Sequence, residues 1–225
     1  NQTTQHRDYN YMNKPIIGIV GGSGTGKSTS LRNLPANKTT IIDLERKGFP
    51  FKEAKKFDII SVDKIPDVNP AIEKAIKNSD IVVFESFTKY CEQLSSYAGK
   101  MYKGYYVWSY YNKQIRDLLD KVKNEKAIFI FTAIDEIVRV TQPTGGEYNT
   151  RRIKVQGKQH EGCIEKELLM VLFTEVRKGE NSIDYCFQTN SDGVTSAKTP
   201  LGMFDDLYIP NDLNEVIKAC NAYYA

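Results

Sequence analysis

Eight consecutive residues, Gly21-Gly22-Ser23-Gly24-Thr25-Gly26-Lys27-Ser28, satisfy G-x-x-x-x-G-K-[ST] at every fixed position. Glycines let successive backbone N–H groups turn inward around phosphate oxygens, and a helix starting there adds partial positive charge. Lys27 then reaches the outer phosphates, and the Ser28 hydroxyl, followed by Thr29, stands where Mg²⁺ is held. Such chemistry needs acids close by. The apolar run Ile81–Phe84 is closed by Glu85-Ser86, which makes Glu85 the candidate for the Mg²⁺ shell. Ile41-Ile42-Asp43-Leu44-Glu45 closes another run with two acids. Glu45 is the candidate to orient an attacking water, with Asp43 the rival. Ordinary polar strand ends facing solvent are the plainer alternative for all three.

Short strands must carry these residues. Pro15–Val20 reads as a buried parallel strand leading into the glycines, and Lys27–Leu34 reads as a helix stopped by Pro35. Strands follow at Thr39–Asp43, Asp58–Val62, Asp80–Phe84 and Ala127–Thr132. Helices are expected from Asn69, with Pro70 at the first position, over Val107–Lys123, and over Asn211–Ala219. Leu169–Arg177 and Ser182–Thr189 read as an antiparallel hairpin turning at Lys178–Asn181, and Val138–His160 as a long loop. Strands alternating with helices imply a mainly parallel sheet with helices on both faces.

With 225 residues, the chain suggests one domain over 14–225 behind a flexible polar tail, 1–13. No apolar stretch is long enough for a membrane helix, and the amino-terminal segment has no apolar core of a secretory signal. The four cysteines, Cys91, Cys163, Cys186 and Cys220, form no metal-binding pair, so free thiols in a reducing cytoplasm are expected. There are 31 Lys+Arg against 28 Asp+Glu. That near balance is uneven along the chain. Residues 93–116 hold Lys100, Lys103, Lys113 and Arg116 with no acid, and residues 138–160 hold five cations against Glu147 alone.

The phosphate-loop motif, Asp43-Leu44-Glu45 and Glu85-Ser86 together resemble the RecA-like P-loop NTPase core, an α/β fold. The chain looks like the phage RecA-like ATP-binding proteins of the Sak type, implicated in single-strand annealing and recombination. The resemblance implies ATP and Mg²⁺ as ligands, ATP hydrolysis with Glu45 as base, and a homo-oligomer in the cytoplasm. Asp is the commoner residue where Glu85 stands. Ala127–Asp135 takes the place of the sensor segment, with Thr132 and Asp135 as its polar candidates. Ala197-Lys198-Thr199-Pro200 resembles a segment placed against a neighbour's nucleotide, making Lys198 a candidate finger acting in trans. A P-loop nucleoside or small-molecule kinase and a non-catalytic ATP switch are the alternatives.

Two loops of that core hold DNA. Their equivalents are Tyr97–Tyr111, with six tyrosines, Trp108, Lys100 and Lys103, and the basic stretch Val138–His160. Aromatic faces stack on unpaired bases while cations neutralise phosphates. Lys100, Tyr102, Lys103, Tyr105, Arg151, Arg152 and Lys154 are therefore the candidates for single-stranded DNA. An aromatic helix stripe packed into the core, with Tyr106, Trp108 and Tyr110, is the alternative for the first segment. Solvated surface charge is the alternative for the second.

Overall fold

Runs rich in Ile, Val and Phe, too short for helices, become the strands of one sheet. The computed structural model describes residues 15–157, 164–179 and 182–225; the expected tail 1–13, Lys158, His160 and Cys163 lie outside the described residues. The strands are β1 (Ile16–Val20), β2 (Thr39–Asp43), β3 (Asp58–Ser61), β4 (Ile81–Glu85), β5 (Ile128–Ala133), β8 (Met170–Lys178), β9 (Ile183–Gln188) and β10 (Tyr208–Pro210). Their order is β10-β9-β8-β1-β5-β4-β2-β3. Every pairing from β8 to β3 is parallel, while β9 and β10 are antiparallel to their neighbours. The mainly parallel α/β sheet with a carboxyl-terminal antiparallel hairpin is thus as expected.

Period-two alternation divides the core between the two faces. Ile16, Val20, Ile42, Val82 and Phe84 pack beneath α1 (Val68–Asn78), α2 (Phe87–Met101) and α3 (Tyr105–Lys123). Ile17, Ile19, Ile41, Val83 and Leu172 pack against Leu31, Leu34 and α4 (Leu213–Tyr223) on the other face. Among the described residues no helix is long and apolar enough to cross a membrane. Cys91, Cys186 and Cys220 are free and buried.

Three expected elements differ. The helix after Gly26 is a six-residue 3₁₀ helix, Ser28–Asn33. Its hydroxyl-rich start competes for backbone partners: Ser30 Oγ donates to Lys27 O at 2.6 Å, and Ser30 N is shared between Gly26 O and Lys27 O. The aromatic segment 97–111 is not a loop. Helix α2 runs on to Met101 and α3 starts at Tyr105, leaving a corner of three residues with Gly104 at φ 58°. Only Tyr111 of its rings is fully buried; Tyr105 and Tyr106 stand out in solvent.

The expected long loop is largely a second sheet, β6 (Asp135–Thr141) paired antiparallel with β7 (Glu147–Ile153) from Asp135↔Ile153 to Thr141↔Glu147. Each face mixes apolar with charged residues, Ile137 beside Arg139 and Arg151 on one and Val138, Val140 and Tyr148 beside Glu136 and Arg152 on the other, so the apolar alternation is weak in the sequence. An isolated two-stranded ribbon is marginal. This one is pinned by ion pairs of Arg151 with Asp135 and Glu175, and of Arg152 with Glu136 at 3.0 Å.

Candidate active site

Strands β1, β2, β4 and β5 run parallel and end on one edge of the sheet. Val20 lies opposite Ala133 and Asp43 opposite Glu85. The glycine loop, both acid-bearing turns and Asp135 therefore leave the sheet together, at the edge where open α/β sheets bind ligands.

The loop is held from below by β8. Thr174, fully buried, donates to Val20 O at 3.2 Å and shares a 2.5 Å hydrogen bond with Thr25 Oγ1. Thr25 Oγ1 also lies 2.8 Å from Gly22 O, so two hydroxyl protons serve three contacts. A Cβ on Gly21 would fall 2.0 Å from Thr174 Oγ1, so only glycine fits there. Gly26 has φ 101° and backs onto Tyr185 and Asn211. Ser23 and Gly24 form the exposed lip, and Thr29 O accepts from Arg32 at 3.0 Å. Lys27 Nζ curls over the mouth and donates to Gly21 O and Gly22 O at 2.7 and 2.6 Å. Burial lowers its pKa against the pull of Glu85, and the charge of Lys47 lowers it further.

Two serines connect the cradle to the acids. Ser28 Oγ donates to Glu85 Oε1 at 2.8 Å, and Ser86 Oγ donates to Glu45 Oε1 at 2.9 Å while capping α2 at Lys89 N. The backbone of Leu44 donates to Glu85 O, tying the end of β2 to that of β4. Asp43 is used differently. It is buried, and its Oδ1 accepts from Arg46 N at 2.8 Å, shaping the turn that presents Glu45.

Glu85 is 3% exposed and its Oε2 has no hydrogen-bond partner. Burial pushes its pKa up, opposed by the Thr132 and Ser28 hydroxyls and by Lys47 and Lys27. Thr132 Oγ1 acts on the carboxylate from outside hydrogen-bond geometry and is itself a buried orphan. An orphaned carboxylate oxygen beside a hydroxyl and a phosphate cradle suits Mg²⁺, which takes one or two carboxylates plus phosphate oxygens. Ser28 and Glu85 are the residues that would hold it. Among the described residues no cluster of three or more His, Cys, Asp or Glu offers an all-protein metal cage.

Sequence reasoning missed several residues here. Lys47 lies 3.3 Å from Glu45 Oε2 and lines, with Lys27, Ser28 and Tyr185, a cleft of about 830 Å³ in front of the cradle. Its signal was proximity, two residues past Glu45. Thr174 was a lone hydroxyl closing an apolar strand run. Nothing local marked Tyr185 or Asn211.

The remaining candidates lie elsewhere. Lys198 pairs with Val171 of β8, level with Gly18 rather than the loop, and Glu165 and Glu167 are its charge neighbours. Arg151 is bound to Asp135 and Glu175 and lies over the Phe173 ring, and Arg152 is bound to Glu136. These are corrections to the picture of exposed loop cations: their partners come from β6 and β8. Lys154 is half-buried after β7, its N–H on Ile134 O. Lys100, Tyr102, Lys103 and Tyr105 are exposed together at the α2–α3 corner.

Residues 13–201 match a family described as AAA domain. The chain belongs to that family. The matched part of this AAA domain spans β1 to β9, with β10 and α4 beyond it, and cradle and family together make it an AAA-type P-loop ATPase domain. In fold the AAA domain is similar to a KaiC-like protein of Pyrococcus horikoshii OT3, at 12% identity over 82% of each chain with TM-score 0.45. It is also similar to the flagellar accessory protein FlaH of Methanocaldococcus jannaschii, at 12% identity over 77% of this chain and 76% of the other, TM-score 0.42. No curated protein matches the sequence.

Proposed function

We propose that the protein binds ATP with Mg²⁺ in the loop 21–29 and hydrolyses it, Glu45 orienting the attacking water. One observation carries this reading: Ser28–Glu85 and Ser86–Glu45 are hydrogen-bonded pairs on adjacent residues of one strand end, so metal-side and water-side acids stand next to each other. Lys27 exchanges the carbonyls of Gly21 and Gly22 for phosphate oxygens. Ser86 fixes Glu45 through Oε1, leaving its other oxygen, now paired with Lys47, to accept a proton from water. Mg²⁺, when bound, supplies charge neutralisation of the phosphates.

The expected outcome is that Glu45→Gln keeps ATP affinity and loses turnover by about 10²- to 10⁴-fold. Undiminished turnover removes Glu45 from this role. Lys27→Ala with unchanged turnover sinks the ATPase assignment. ATP binding with no wild-type turnover, even with DNA present, favours a switch.

The α2–α3 corner supports an extension to single-stranded DNA, in line with the resemblance to phage annealing proteins. Tyr102, whose ring lies 5.0 Å from that of Tyr110, and Tyr105 are exposed and alternate along the corner with Lys100 and Lys103, aromatic faces interleaved with phosphate neutralisers. Arg151 and Arg152, held in ion pairs, drop out of this proposed face; Lys154 stays at its margin. A homo-oligomer in which Lys198 reaches a neighbour's nucleotide belongs to the same reading. Gel-shift titration of single-stranded DNA at two salt concentrations, with and without ATP, tests it; no binding in any condition overturns the DNA part.

A further inference from the structure

Past the end of β2 the chain turns through a backbone that few side chains adopt. Arg46 has φ 54°, in the left-handed region, and Gly48 follows with φ 81°. A residue with a side chain keeps that conformation only where its surroundings over-determine it, and such strain gathers at sites of function. Here the restraints are explicit. Arg46 N donates to Asp43 Oδ1 at 2.8 Å, and its guanidinium pairs with Asp63. Leu44 N donates to Glu85 O at 2.7 Å and Val62 N to Asp43 O at 2.9 Å. Arg46 is thereby committed to the segment after β3. Its two neighbours meet instead at the cradle, Lys47 Nζ lying 3.3 Å from Glu45 Oε2.

Lys47 differs from the other cations around the loop. Arg32 is spent on the carbonyls of Thr29 and Asn211, Arg151 is held by two acids, and Lys198 lies level with Gly18. The Lys47 side chain is 61% exposed, and an ion pair this open to water holds weakly. Nothing lies within 4 Å of where a Gly48 Cβ would stand, so there is room beside it. Among the described residues lining the cleft before the cradle, the cations are Lys27 and Lys47. The Lys47 charge is felt by the phosphate-side lysine and by the metal-side acid alike: it lowers the pKa of Lys27 and opposes the upward push of burial on Glu85.

We propose that Lys47 is a phosphate-sensing cation supplied by this chain itself, exchanging Glu45 for the terminal phosphate of a bound nucleoside triphosphate. The inference rests on the ATPase reading of the loop and of Glu45. The exchange has two consequences. Glu45 Oε2 is released to act on water, and positive charge moves onto oxygens that gain negative charge in the transition state. In that step the water oxygen bonds to the terminal phosphorus and the bond to the ADP oxygen breaks. The water proton passes to Glu45 Oε2, leaving ADP and inorganic phosphate. A diphosphate lacks the group that draws Lys47 away, so with ADP bound the base stays paired.

Calorimetric titration of adenylyl imidodiphosphate, a non-hydrolysable ATP analogue, and of ADP, each with Mg²⁺, reads the terminal-phosphate contact without turnover. Lys47→Ala should weaken the analogue about tenfold or more, the factor of one charge-assisted hydrogen bond, and leave ADP affinity unchanged. Unchanged ADP binding also reports an intact fold. Lys47→Gln, which keeps most of the length without the charge, should behave as Lys47→Ala, and Lys47→Arg should keep the wild-type ratio of the two affinities. In steady-state ATP hydrolysis, kcat of Lys47→Ala should fall by about 10²- to 10³-fold. The proposal is overturned if Lys47→Ala or Lys47→Gln keeps the wild-type ratio, if both affinities fall together, or if kcat rises, which would make Lys47 a brake on Glu45 and nothing more. The underlying reading fails separately. Lys27→Ala binding both nucleotides as wild type does removes the phosphate site, and undiminished turnover in Glu45→Gln removes the base while the affinity ratio still reports on Lys47.

Discussion

Gly21→Ala forces a methyl group into the one contact that locks the phosphate loop to the sheet. The added Cβ would lie 2.0 Å from Thr174 Oγ1 and 2.9 Å from Thr25 Oγ1. Thr174 is fully buried, and rotating it away sacrifices its hydrogen bonds to Thr25 and Val20. Each such bond is worth about 0.5–1.5 kcal/mol. Overpacking a tight site adds about 1–3 kcal/mol, so a loss of about 2–6 kcal/mol is expected. In a chain of this size that lowers Tm by about 4–24 °C. The assay is thermal unfolding of wild type, Gly21→Ala, Thr174→Ala and the double variant, without nucleotide. With the Thr174 hydroxyl gone, Gly21→Ala should cost about 1 kcal/mol less or better, a positive coupling between the two sites. Equal cost in both backgrounds refutes the argument, as does a Gly21→Ala protein that melts with wild type.

Glu85→Gln should stabilise the nucleotide-free protein at neutral pH while lowering turnover. Above the ordinary carboxylate pKa of 4.5 the unfolded chain releases the proton that burial makes the folded chain keep, so wild-type stability falls as pH rises toward the raised folded value. The Tm advantage of Glu85→Gln must therefore grow above that pH and vanish below it; a pH-independent difference contradicts the burial of this acid. Lys47→Ala removes a charge that depresses the Lys27 pKa, so the alkaline limb of ATP binding, where Lys27 deprotonates, should move to higher pH; an unmoved limb means the charge is not felt. Lys100→Ala with Lys103→Ala should reduce the salt slope of single-strand binding by about 1.4, and Tyr105→Ala should weaken binding by about 1–3 kcal/mol at unchanged slope. An unaltered slope in the lysine pair removes the corner from the DNA-binding face.

The phosphate loop was legible because it is local. Its eight residues carry their own geometry in glycine spacing, and the apolar runs on either side fixed which strands carry Glu45 and Glu85. Tyr97–Tyr111, helical from Val107 in the sequence reading but matched to a DNA-binding loop, and Val138–His160, read as a loop, differ from the structure for different reasons. The first hid a helix break of only three residues inside two amphipathic helices. The second was a strand pair whose better-covered face, with Val138 and Val140, is only half-buried, and full burial of one face is what makes alternation plain.

Sequence alone determined the cradle, the parallel α/β order of elements and the acids at strand ends, all set by neighbours within a few positions. Only the tertiary structure shows how the two acids are engaged, Asp43 with the backbone of Arg46 in its own turn and Glu45 with Ser86 at the end of the adjacent strand. It likewise turned Arg151 inward, onto an acid of β6 and another of β8, and brought Thr174, Tyr185 and Asn211 to a loop about 150 to 185 residues earlier in the chain. Sheet order makes those contacts, and it follows from the packing of both faces at once rather than from any local pattern.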